Sequence, residues 1–187
     1  MDQGIAGVIA GIAGLLGAGI GGLATAYGAR VGAQKTIEAV QTQVSQQSTA
    51  EHAHWVREQR RQAYSDVMEA HGAFATSMNI ARLQISAATL LSDETVSDLQ
   101  EKLVTLGLAA TRTHLWGPEA AVSKANDLAR AALRRFDALK HLAAAQNATT
   151  SSAASAHHRQ YGDAGDEEKT ARADFVAVAR TTLAAAP

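Results

Sequence analysis

The chain has no cysteine, and that absence alone excludes disulfide frameworks, thiolate nucleophiles, zinc-thiolate sites and iron-sulfur clusters. Proline is nearly missing as well: only Pro118 and Pro187 occur in 187 residues, so there are few points at which a helix is forced to stop. Aromatic residues are scarce, and alanine, leucine, glutamine, glutamate and arginine dominate after residue 33, which is a helical composition. A formal net charge of −1 gives no global attraction for nucleic acid or anionic lipid, so neither is expected as a partner on that ground. Also missing are a phosphate-binding glycine loop between strand and helix, a G-x-S-x-G elbow and paired carboxylates placed for acid/base work. No catalytic residue, cofactor or metal is therefore expected.

Charge is absent over one stretch in particular. From Gln3 to Ala29 there is no charged side chain. As a helix rising about 1.5 Å per residue, the run is roughly 40 Å long, against a hydrocarbon core of about 30 Å. A secretory signal peptide is the competing reading, and Ala24-Thr25-Ala26 resembles a cleavage site, but only Asp2 precedes the apolar run where a basic segment is required.

The glycines of this stretch are ordered. Gly4, Gly7, Gly11, Gly14, Ala18, Gly21, Thr25, Gly28 and Gly32 alternate in steps of three and four, and Ala10, Gly17 and Ala24 widen the same face. Ile5, Val8, Ile9, Ile12, Leu15, Leu16, Ile20, Leu23 and Tyr27 occupy the complementary face. Among lipid tails apolar side chains gain little by meeting one another, so helices associate by the close backbone approach that small residues permit. The small face reads as a packing seam and the large face as lipid-facing. A repeat of about 3.5 residues predicts a left-handed crossing. Arg30 and Lys35 lie just past the run, which orients the rest of the chain toward the cytoplasm of a single-pass protein in the cell membrane.

Beyond the anchor, neither proline nor glycine interrupts 33–71, so a helical stalk is predicted over 33–55, with Ile37, Val40 and Val44 on one stripe. The glutamine-rich segment 41–49 is a thin place where the helix could break. A helical bundle is predicted over 56–187. Its first helix carries Val56, Ala63, Val67, His71, Phe74, Met78, Ala81, Ile85 and Ala88. Ser92-Asp93-Glu94-Thr95 is a helix start, followed by a stripe of Val96, Leu99, Leu103, Leu106, Ala110 and Thr113 that ends at Gly117-Pro118. A third helix opens at Pro118 and Glu119 and carries Val122, Ala125, Leu128, Ala132, Phe136, Leu139 and Ala143. The Ser/Ala/Thr tract 147–156 and the turn-like 162–165 predict a flexible connection near 147–165, and a last helix from about Asp166 presents Ala171, Phe175, Val178 and Leu183. The expected fold is all-α: a glycine-rich transmembrane helix over 1–32, continuing through a stalk into an antiparallel four-helix bundle.

Seven histidines invite a metal site, but no two stand four apart on one helix face. His71 falls on an apolar stripe, where a core histidine hydrogen-bonded to a neighbour is the simpler reading and a pH switch the sharper one. Trp55, Arg57, Arg60 and Arg61 form a basic-aromatic patch, interleaved with Glu51, Glu58 and Asp66, which favours a salt-bridged solvated face over a nucleic-acid surface.

The run His54-Trp55-Val56-Arg57-Glu58-Gln59-Arg60-Arg61-Gln62-Ala63-Tyr64, the turn Leu115-Trp116-Gly117-Pro118-Glu119 and the segment Phe175-Val176-Ala177-Val178-Ala179-Arg180 resemble uncharacterised actinobacterial helical proteins, many with a short membrane segment before the bundle. The resemblance implies an anchored bundle and carries no functional residues. The expectation is a non-enzymatic homo-oligomer in the lipid bilayer that presents its bundle to a protein partner. The alternative is an oligomeric pore-forming or membrane-disrupting effector, in which the same seam lines water.

Overall fold

The apolar stripes dictate the architecture, because each helix buries a face that only other helices can cover. In the computed structural model the backbone is described for residues 3–146 and 151–185, and side chains for 32, 35–36, 39–145 and 155–185. Four helices make up the described residues: α1 (Gln3–Ser86), α2 (Asp93–Trp116), α3 (Glu119–Gln146) and α4 (Ser151–Ala184). No strand occurs among them. They divide into two compact units, Met1–His52 and Ala53–Pro187.

The first unit is helical throughout its described backbone, and the glutamine-rich 41–49 does not interrupt it. Its hydroxyls explain part of this, since Ser45 donates to the Thr42 carbonyl at 2.9 Å and Thr49 to the Ser45 carbonyl at 2.8 Å, so they bond to the helix itself. Seam residues Gly4 to Gly28 lie outside the residues whose side chains are described. Gly32, the last of the seam, has open space around it. Among the described residues no helix is long and apolar enough to cross a membrane. The transmembrane helix expected over 1–32 has its side chains, Gly32 apart, outside the described residues.

The second unit is an all-α bundle. Asp66 pairs with Arg112 at 3.6 Å and Gln84 meets Thr95, so α1 and α2 run antiparallel. Tyr64 packs edge-on against Phe175 while His71 meets Glu168, so α1 and α4 do likewise. Lys124 bonds Asp174 and Arg134 bonds Glu167, which sets α3 antiparallel to α4. One contiguous core results, built on Val67, Phe74, Met78, Leu99, Leu106, Leu128, Leu139 and Phe175.

Local chemistry sets the helix ends. The Ser92 hydroxyl accepts from the Thr95 backbone N–H at 3.2 Å, with Asp93 and Glu94 in the first turn of α2. Gly117 closes α2 in an extended conformation, as the residue before a proline should be. Its lack of a side chain is needed for space, since a Cβ there would lie 3.0 Å from the Thr113 carbonyl and 3.2 Å from the Tyr64 hydroxyl.

Two boundaries differ from expectation. α1 ends at Ser86, so Ala88 leaves the stripe and turns left-handed at φ 56°, while Thr89 N–H closes back on the Gln84 carbonyl. And α4 begins at Ser151 rather than near Asp166, absorbing Gly162 and Gly165 into its interior. Tyr161 and Ala164 are buried there, and that burial outweighs the modest helix penalty of two glycines.

Candidate functional site

Each of three helices carries one polar side chain where its stripe calls for an apolar one, and the three meet. His71 follows Val67 and precedes Phe74 on α1. Arg135 falls between Ala132 and Leu139 on α3, and Glu168 between Ala164 and Phe175 on α4. Glu168, only 2% exposed, is held from both sides. Its Oε1 accepts from His71 Nε2 at 2.7 Å and its Oε2 from Arg135 Nη1 at 3.0 Å. A carboxylate only accepts, so it is Nε2 of His71 that carries the hydrogen.

The network continues outward. Arg135 Nη2 donates to the Tyr161 hydroxyl at 3.0 Å and reaches Asn79 at 3.5 Å, with the guanidinium 5.3 Å from the Tyr161 ring centroid. Its Nε is buried without a hydrogen-bond partner, beside Gly165. Burial pushes the Glu168 carboxyl up, but the His71 and Arg135 contacts outweigh it and hold the group below the usual carboxylate range. For Arg135 burial pulls the other way, and Glu168 more than restores it, raising the guanidinium above its ordinary value. The arrangement keeps a charge-assisted pair inside the bundle and ties three helices in one register.

The basic-aromatic patch is divided by the fold. Trp55 packs edge-on against Trp116 with ring centroids 5.1 Å apart, and Arg60 Nε donates to the Trp116 carbonyl at 2.7 Å, so these two clamp the α2–α3 turn. Arg61 pairs loosely with Glu58 at 3.9 Å in solvent, and Arg57 is exposed. His141 and His157 stack between α3 and α4, with centroids 6.1 Å apart. Among the described residues no cluster of three metal-ligating side chains occurs.

No family model, curated protein or solved structure matches this chain. The functional argument therefore rests on the residues themselves. His71 is a core histidine bonded to a neighbour, the simpler of the two readings its position allowed. Glu168, Arg135 and Tyr161 did not stand out by motif. The signal for them is periodic: 161, 164, 168, 171 and 175 step by three and four, as do 128, 132, 135 and 139, so each charge sits on a core stripe.

Proposed function

We propose that the chain is a non-enzymatic membrane-anchored protein that self-associates through its N-terminal small-residue face and presents its bundle to a protein partner, with the bundle in the cytoplasm. The observation that carries this reading is the partition of the charge-free run Gln3–Ala29 into one face of glycine, alanine and threonine and one of isoleucine, leucine and valine. The bundle lends support through the outer face of α2. Val104, Leu108 and Leu115 share one stripe there and are 62%, 59% and 71% exposed. An amphipathic helix of a partner would cover such a strip.

The absence of native cysteine makes the test direct. Single cysteines replace Gly14 and Ala18 on the small face, and Ile12 and Leu16 on the large face. In native membranes, oxidation cross-links the small-face variants, and a water-soluble thiol reagent leaves all four unlabelled. Labelling confined to Gly14→Cys and Ala18→Cys means that water reaches the seam, and the pore reading replaces the packed one. Free labelling of all four removes the segment from the bilayer and the proposal with it.

A further inference from the structure

α4 carries Gly162 and Gly165 inside a helix of 34 residues, where each is a weaker helix former than alanine. Backbone geometry does not require them, since no glycine among the described residues has a positive φ. What they share is a wall. Both line a cleft of about 310 Å³ between α1, α3 and α4, at the end of the bundle where α1 stops. Gly162 faces open space, and at Gly165 a Cβ would stand 3.6 Å from Arg135 Nε, so a longer side chain would run into the guanidinium.

The other walls are basic. Arg82 comes from α1, Arg135 from α3, and His158 and Lys169 from α4, against Asp166 as the one lining carboxylate. Arg82 takes part in none of the ion pairs formed among the described residues. Lys169 and Asp166 pair at 2.8 Å with both side chains more than three-quarters exposed, a contact that a better anion displaces at little cost. Arg135 is held rigidly by Glu168 and Tyr161 before any ligand arrives. Tyr161 accepts from Arg135, which leaves its own O–H to donate.

We propose that this cleft binds a phosphomonoester. Arg82 and Lys169 meet its charge at the rim, and Arg135 with Tyr161 forms the fixed floor. Several donors of different geometry converging on one cleft suit the three terminal oxygens of that group, and guanidinium and ammonium groups are its usual partners. The chemistry is shared by a soluble phosphorylated small molecule and by a lipid headgroup that ends in a free phosphate, as in phosphatidic acid. The inference is independent of the membrane reading above.

The test uses the full chain in detergent, titrated with inorganic phosphate by calorimetry, and the same chain added to phosphatidylcholine vesicles with and without phosphatidic acid. Saturable binding is expected in at least one arm. Arg82→Gln and Lys169→Gln, both at exposed positions, should each weaken it about tenfold, a loss of one charge-assisted contact. Gly162→Leu fills the cleft without changing charge, and should abolish binding while Tm holds or rises, because leucine is the better helix former. Phosphate binding in solution assigns a soluble ligand. A phosphatidic-acid-dependent difference alone assigns a headgroup, and either result supports the cleft. Absence of both, or binding that survives Arg82→Gln and Gly162→Leu, overturns it.

Discussion

The same helix lives in two environments. Along 39–52, α1 is exposed at every position, Val40 and Val44 included at 51% and 59%. From Ala63 to Ile85 it buries a residue at every third or fourth step. Composition differs, glutamine, serine and threonine dominating the first stretch and alanine the second, yet both are helical, so helix formation is not what separates them. What separates them is cover: in the second unit α2 and α4 lie against α1, and a stripe of the same period becomes a core. A helical stripe is thus an offer of an interface, and only the partner helices turn it into stability.

The largest effect should come from breaking the buried side at its polar centre. Glu168→Leu leaves Arg135 and His71 without their shared acceptor in the core, and loss of one member of such a buried group costs about 3–5 kcal/mol. Chemical denaturation of the bundle reads this directly. Replacing all three by apolar residues of similar volume, as in His71→Phe, Arg135→Met and Glu168→Leu together, should recover most of the loss. A triple variant no more stable than the single one would mean that the network does more than balance its own charges.

Acid probes the same site more gently. Because the folded-state carboxyl of Glu168 lies below its unfolded value near 4.5, the group contributes stability that is fully present above about pH 4.5 and is lost as pH falls through the lower, folded value. Stability should therefore decline below pH 4.5, and Glu168→Gln should flatten that part of the profile. Asp98 and Asp166 are also held low, by Lys102 and Lys169 respectively, but they sit in or near solvent and should contribute little of the slope.

The end of the buried stretch offers a gain. Ala88 is left-handed at φ 56°, a conformation that costs a residue with a Cβ about 1 kcal/mol relative to glycine. Ala88→Gly should raise the stability of the bundle by up to about 1 kcal/mol, offset in part by the freer unfolded chain. No gain in thermal unfolding would mean that the α1–α2 turn does not hold this shape in solution.

How far these features could be read in the residues follows from the same contrast. The stripes of α2 and α3 were legible because a core residue recurs without interruption, and Ser92 and Gly117-Pro118 mark their ends with ordinary cap and turn chemistry. Ala88 was misleading, because the residue that signals a left-handed helix end is usually glycine. Gly162 and Gly165 misled in the opposite sense: read as a turn, they cut α4 short, and a helix begun near Asp166 lacks the Tyr161 and Ala164 that show Glu168 to lie on a core stripe. With Tyr161 and Ala164 restored to the same helix, Glu168 falls on the core stripe and becomes the partner that His71 requires. The cleft beside Gly162 depends on side chains from three helices, and no single segment of sequence records it.

The smallest expected effect lies on the solvated side, and it is informative for that reason. Val40→Ser and Val44→Ser remove apolar surface that is already half exposed, so the unfolding transition of the bundle should move by no more than about 0.5 kcal/mol. The comparison sharpens if Tm is followed across a wide range of protein concentration. A transition that is independent of concentration and indifferent to both serines leaves the two stretches of α1 as separate cases of one helix with and without cover. A Tm that rises with concentration in the parent chain and loses that dependence in the serine variants means that a second copy covers Val40 and Val44. The contrast within α1 would then hold for the isolated chain alone, and the exposed stripe would be a second interface awaiting its partner.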